Sequence, residues 1–416
     1  MYLLWLLLAL AAPVWAVSAQ IREGAAVSTL IAVLAPILAD LLRRFRVPLV
    51  VLEIVLGVVV GPHCLDLVHV NKINSALALM GMCFLFFMAG LEIDFFRIRG
   101  RSIRTAFRGW LLSLAVAAAC CALLHYLGWV KGPLLVTVGL STTAIGTLMP
   151  ILKDGGELES DFGTLLLGVG AAGEFGPIII VSLIAGNQSD EWLSALILFA
   201  FAGLVTLTAF LAYRLRPPSL IHWLGAKMHT TSQLPVRLCV FLTTFLAFLA
   251  GIWGVDVILG AFGAGAVVGM ATRENHSKEL LHKLDSLTFG FLIPIFFIYS
   301  GVKFDLPALA ARDTQLRLLM FLALLLVVRG IPALFLYREL AWRDRWALAF
   351  YSATGLPLIV AIAELGEQTG RMLPENCVAL VGAGMASVLL FPLIGSQLRS
   401  SKAVPTEQSP DEAPPE

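Results

Sequence analysis

The chain alternates between apolar stretches, mostly about 17–24 residues long, and short connections that hold most of its charge. The apolar stretches fall at roughly 24–42, 47–61, 74–94, 106–128, 133–151, 163–186, 192–213, 237–253, 255–272, 287–302, 316–337, 344–366 and 376–398. A helix rising about 1.5 Å per residue needs such a run to cross a hydrocarbon layer about 30 Å thick. The pattern predicts an all-α polytopic membrane protein of thirteen transmembrane helices. Ahead of them stands "MYLLWLLLALAAPVWAVSAQ". Val17 and Ala19 fit a small-residue cleavage site, whereas the lack of Lys or Arg before the apolar core favours an uncleaved span. Residues 1–20 are therefore a signal peptide or an extra N-terminal span, with cleavage preferred.

Composition strengthens this reading: 59% of residues are hydrophobic and 14% charged, a balance that would aggregate in water. Basic residues fall on alternate connections. Arg43, Arg44 and Arg46 follow the first span, Arg97, Arg99, Arg101 and Arg104 the third, Arg214, Arg216, Lys227 and Arg237 the seventh, and Arg338, Arg343 and Arg345 the eleventh. The positive-inside rule then starts the first span outside and leaves the C-terminus in the cytoplasm. The formal net charge of +1, with no basic stripe, offers nothing to nucleic acid. Four cysteines read as small core residues, while Cys64 and Cys377 are placed on one side and could pair. The Pro-rich tail, 399–416, reads as disordered.

The two halves echo each other. "GVVVG" at 57–61 recurs as "GAVVG" at 265–269, an offset of 208. Phe86, Gly90 and Asp94 recur as Phe297, Gly301 and Asp305, "STT" at 141–143 as "SAT" at 352–354, both offset by 211, and Gly170-Ala171 as Gly382-Ala383, offset by 212. Spans one to six (24–186) then repeat as eight to thirteen (237–398), with 187–236 as the connector. An offset of seven spans reverses the second copy in the membrane, giving inverted-topology repeats. Such architectures place their sites where helices of both repeats break near the midplane. "LSTTAIGTLMP" and "YSATGLPLIV" occupy equivalent positions and carry Ser, Thr, Gly and Pro inside apolar runs. A lone hydroxyl in such a run more often bonds back to its own helix turn. Two matched clusters predict two broken helices.

Glu174 lies near the centre of the sixth span, where a charge costs about 2.5–3.5 kcal/mol on insertion scales. Arg329 is its counterpart in the eleventh span. A buried carboxylate beside hydroxyl and carbonyl oxygens can bind either a proton or a dehydrated monovalent cation, and competition between them suffices for exchange. The bland alternative is a buried Glu174–Arg329 pair with no transport role. Glu53, a second membrane carboxylate, either lines an access route or pairs at a helix interface. Asp256 sits near a short turn and reads as solvated, Glu364 near a span end, and the seven histidines lie in or near connections.

"VPLVVLEIVLGVVVGP", "FLFFMAGLEID", "LSTTAIG", "GFLIPIFFIYSG" and the Arg329 span, in this order, resemble the cation/proton antiporter superfamily. The branch is that of bacterial sodium/proton antiporters and potassium efflux systems, and the resemblance covers about 24–398. It implies a core bundle of about 106–186 plus 316–398, a dimerising part of about 24–94 plus 237–302, a homodimer, and elevator-like alternating access serving pH homeostasis. It places ion and proton binding at Glu174 with Ser141, Thr142 and Thr143, makes Arg329 the charge partner, and lines the second broken helix with Thr354, Gly355 and Pro357. Two departures matter. Gly173 stands where electrogenic relatives carry an acid or asparagine, and Arg329 where many carry lysine. An arginine stays protonated, so Glu174 is left as the single titratable carrier, and the expectation is electroneutral exchange of one proton for one Na⁺ or K⁺. The reading is of a transporter without cofactors rather than an enzyme. No paired catalytic aspartates and no GxSxG motif lie in a suitable span. A sodium-coupled symporter of an organic anion, a cation channel and a non-transporting sensor are the rival readings.

Overall fold

The computed structural model of the chain describes residues 19–41, 49–92, 101–145, most of 147–185, part of 200–208, 230–272 and 277–399. The segment 1–18, most of the seventh predicted span, and the tail from 400 onward lie outside the described residues, with the readings made for them. The first six helices are α1 (Ala19–Leu41), α2 (Leu49–Val60), α3 (Lys72–Glu92), α4 (Arg101–Tyr126), α5 (Pro133–Leu140) and α6 (Asp161–Ala185). After them come α7 (Leu234–Ile252), α8 (Val257–Ala271), α9 (Ser277–Leu287) and α10 (Ile293–Val302). The chain ends in the short α11 (Leu306–Ala310), then α12 (Arg312–Leu336), α13 (Trp342–Ser352), α14 (Pro357–Gln368) and α15 (Pro374–Leu398). Among the described residues eight helical segments are long and apolar enough to cross a membrane, and three further apolar helices are shorter.

Local chemistry explains several boundaries. Proline opens α5, α14 and α15, where its missing N–H costs no helix bond. Asp256, read from sequence as solvated, instead caps α8 by accepting from the Ile258 N–H at 2.8 Å. The tenth predicted span, 287–302, begins earlier than its apolar run. A helical segment reaches back to Glu279 through a π-helical turn at Thr288–Leu292. Charged residues of α9 hide that extension from a hydropathy reading. Cys64 and Cys377 are free thiols, so the pairing considered above is not made.

The helices pack as two groups. One comprises α1, α2, α3, α7, α8, α9 and α10; the other α4, α5, α6, α12, α13, α14 and α15. Within the first group two glycine contacts mirror each other. A Cβ on Gly57 of α2 would lie 2.1 Å from the Ile298 carbonyl oxygen of α10, and one on Gly301 would lie 2.1 Å from the Ile54 oxygen. A Cβ on Gly265 of α8 would lie 1.9 Å from the Phe87 oxygen of α3, and one on Gly90 would lie 2.2 Å from the Phe262 oxygen. These are the same residue pairs displaced by the offsets of 208 and 211. Only glycine lets the backbones approach so closely, the usual device where lipid removes the hydrophobic drive between helices.

The seam between the groups is mostly apolar. Val51 and Ile54 of α2 with Phe296 and Phe297 of α10 share a cluster with Leu356, Val360 and Val388 of the other group. Phe175 of α6 meets Phe262 of α8 with ring centroids 5.4 Å apart. At one end of the second group Arg399 pairs with Glu157 at 2.9 Å and Asp344 at 2.8 Å, and lies 4.0 Å over the Phe162 ring.

Candidate functional site

Two helices of the second group break where the sequence predicts. α5 ends at Leu140, and 142–144 are non-helical before helix resumes at Ile145. α13 ends at Ser352, and 354–356 separate it from α14. Each break strands backbone donors and acceptors that lipid cannot satisfy. The breaks satisfy one another: the Ala144 N–H donates to the Thr354 oxygen at 2.8 Å, and the Thr143 hydroxyl donates to the Ser352 oxygen at 2.6 Å.

The third participant is α6, and the local sequence "GEFGP" explains why. Pro177 lies inside this helix and has no N–H to offer the carbonyl four residues back, which is Gly173. That carbonyl accepts instead from the Thr143 N–H at 3.0 Å. The residue before Glu174 is thereby tied to the first break, and the Glu174 side chain is buried beside it. Gly176, one turn-face away, accommodates Trp110 of α4: a Cβ there would lie 2.4 Å from the indole ring.

Arg329 on α12 draws these elements together. Its side chain is 3% exposed and makes four hydrogen bonds. Nε donates to the Ser352 oxygen at 3.2 Å and Nη1 to the Ser113 hydroxyl of α4 at 3.2 Å. Nη2 donates to the Thr143 hydroxyl at 2.6 Å and to the Val169 oxygen of α6 at 3.2 Å. One guanidinium thus spans both breaks, α4 and α6, using the forked donors that a lysine lacks. A buried cation is tolerable only with such hydrogen-bonding. The fit leaves no room at 173, where a Cβ would stand 2.7 Å from Nη2 and 2.7 Å from the Thr143 hydroxyl oxygen. The glycine that reads in sequence as a missing acid is, in space, the seat of the arginine.

The other expected site residues separate into two sets. Ser141 and Thr142 donate back to the Val138 and Gly139 oxygens, both at 2.8 Å, which is the ordinary helix-end role. The Thr142 hydroxyl oxygen still faces the second break, since a Cβ on Gly355 would lie 2.8 Å from it. Thr354 bonds to its own turn at Phe350, Pro357 starts α14, and Gly355 is held by Ser387 of α15, its N–H donating to that hydroxyl at 3.2 Å. Glu53 lies on α2, in the other helix group, and is 2% exposed. Ser113, Ser352 and Ser387 complete the cluster and were not singled out from sequence. Only Ser352 carried a signal, as the first residue of the repeated "SAT".

Comparison with known proteins decides the family. The model of the transmembrane sodium/hydrogen exchanger family matches residues 29–398. The chain belongs to the sodium/hydrogen exchanger family. Among its family relatives, a putative Na⁺/H⁺ antiporter of Bacillus subtilis, YjbQ, is 30% identical over 401 residues, 91% of this chain and 63% of that protein. The chain therefore spans less than two thirds of that relative's length. A probable Na⁺/H⁺ antiporter of Methanocaldococcus jannaschii is 24% identical over 86% of this chain and 92% of its own. The family fold is also met in the sodium proton antiporter MjNhaP1 of the same archaeon, with TM-score 0.68, 16% identity, and 91% of this chain and 99% of that one covered.

Proposed function

We propose that this chain exchanges a monovalent cation for protons across a bacterial inner membrane, with Glu174 as the carrier of both. The observation that carries this reading is the mutual bonding of the two helix breaks beside Glu174 and its helix. There a buried carboxylate sits on the helix whose Gly173 carbonyl is bonded to the first break, in the only kind of membrane setting where irregular backbone is tolerated. Family membership and the relatives named as Na⁺/H⁺ antiporters favour Na⁺ as the cation. A relative in Bacillus cereus named as a Na⁺/H⁺-K⁺ antiporter, 26% identical over 280 residues, keeps K⁺ as the second candidate.

In this reading Arg329 is a fixed charge and a brace. It holds the first break against the second and keeps one positive charge near the site whether Glu174 carries H⁺ or Na⁺. A single carboxylate then alternates between two singly charged cargoes, and exchange moves no net charge. The group of α4–α6 and α12–α15 is the moving core, the group of α1–α3 and α7–α10 the static, dimer-forming part. The reciprocal glycine contacts support an inverted repeat, and the alternating basic connections support a cytoplasmic C-terminus.

Reconstituted vesicles test the proposal. A pH gradient reported by dequenching should collapse on adding Na⁺, and the response should vanish in Glu174→Gln. Full activity in that variant would refute the site. Cation uptake driven by an imposed membrane potential alone would refute the one-to-one stoichiometry.

A further inference from the structure

Among the described residues, the mostly apolar seam between the helix groups holds one ion pair. Lys303 follows α10 in the first group, Glu364 lies on α14 in the second, and their Nζ and Oε1 atoms are 2.7 Å apart. Both side chains are less than one-third exposed. The Lys303 ammonium also stands 5.6 Å from the centre of the Tyr299 ring, and Glu364 accepts from Gln368 at 3.2 Å. The pair lies at the end of the bundle where α15 begins, opposite the Arg399 cluster. Around it is a cavity of about 80 Å³ whose polar lining includes Ser300, Asp305 and Glu367, and whose apolar lining includes Val360 and Val378.

Apolar contacts are non-directional and exchange partners when one surface slides on another. An ion pair at 2.7 Å is geometry-bound and is lost after a displacement of a few ångströms. It therefore favours one arrangement of the two groups over all others. Burial alone would lower the Lys303 pKa, but the hydrogen bond and charge of Glu364 outweigh it and hold the ammonium above the usual lysine range. A displacement of one helix group past the other parts the pair. The charged lining of the cavity is Asp305, Glu364 and Glu367 against Lys303, and a mouth opened there would concentrate cations.

We infer that Lys303 and Glu364 are positioning residues for exchange, forming a latch that holds the access state closed at this end and parts once in each cycle. The inference rests on the two-group alternating-access reading above. It is tested with Lys303→Cys/Glu364→Cys in a chain carrying Cys64→Ser and Cys377→Ser, using a short, reducible bifunctional thiol reagent in vesicles. Exchange should stop on cross-linking and return on reduction; exchange that continues at the uncross-linked rate overturns the latch. In the native-cysteine chain, Lys303→Glu and Glu364→Lys should each shift the apparent KM for Na⁺ at least threefold, and the double exchange of charges should bring it back. Single variants with unchanged KM, or with a lowered Tm as their only effect, also overturn it. An unmodified chain that exchanges no cation overturns the transport reading and the latch together, so the two failures are told apart.

Discussion

Gly173→Ala adds one methyl group, and the structure dictates where it goes. Its carbon would lie 2.7 Å from Arg329 Nη2, 2.7 Å from the Thr143 hydroxyl oxygen and 3.0 Å from Thr143 Cβ. Ordinary contact begins near 3.4 Å, so the guanidinium must withdraw. Withdrawal breaks the two bonds made by Nη2, to Thr143 and Val169. Hydrogen bonds to charged groups are each worth about 1.5–3 kcal/mol, so about 1.5–3 kcal/mol is lost if half the sum is recovered by relaxation. At 1.4 kcal/mol per factor of ten, a loss of that size lowers the population of the braced site roughly 10- to 100-fold. The opposing gain, replacing a helical glycine by alanine, is only about 0.5–1 kcal/mol. Exchange rate in vesicles and Tm in detergent should therefore both fall. Gly330→Ala is the matched control beside the same arginine. A Cβ there meets its nearest neighbour at 3.5 Å, so activity and Tm should hold or rise slightly. Arg329→Lys withdraws the atom that the methyl strikes, so the double variant should regain part of what Gly173→Ala loses, a non-additivity expected of residues in contact. Wild-type exchange and Tm in Gly173→Ala would refute the steric account of this position.

Two other expectations follow from the fold. Pro177→Ala supplies an N–H that competes with Thr143 for the Gly173 carbonyl; α6 should become more stable while exchange slows, seen as an unchanged or higher Tm with a lower rate. Gly57→Ala and Gly265→Ala each push a carbon to about 2 Å from a carbonyl oxygen, an overpacking typically worth at least about 1–3 kcal/mol. The two should lower Tm by similar amounts, and a neutral result at either would break the symmetry argued for them.

The helix breaks were legible because their cause is local: Ser, Thr, Gly and Pro at 141–143 and 352–357 compete with helix bonds wherever they stand. The glycine stripes were legible as repeats, although not as contacts. What escaped the sequence is the pairing between distant elements. Nothing near Ser113 or Val169 announces that an arginine 216 or 160 residues away will reach them. Gly173 carried a signal that was read chemically, as an absent carboxylate, when its first consequence is steric. Glu364 looked like an ordinary helix-end charge because its partner lies 61 residues upstream, in the other helix group.

The mirrored glycine contacts have a consequence for how the chain is made. The face of α3 around Gly90 meets its mate when Gly265 emerges, 175 residues later, but the face of α2 around Gly57 waits for Gly301, 244 residues later. At a synthesis rate of about 5–20 residues per second, that wait lasts roughly 12–50 s. Two interfaces identical in geometry are thus unequal in biosynthesis. During that interval the close-packing face of the nascent α2 around Gly57 is without its mate.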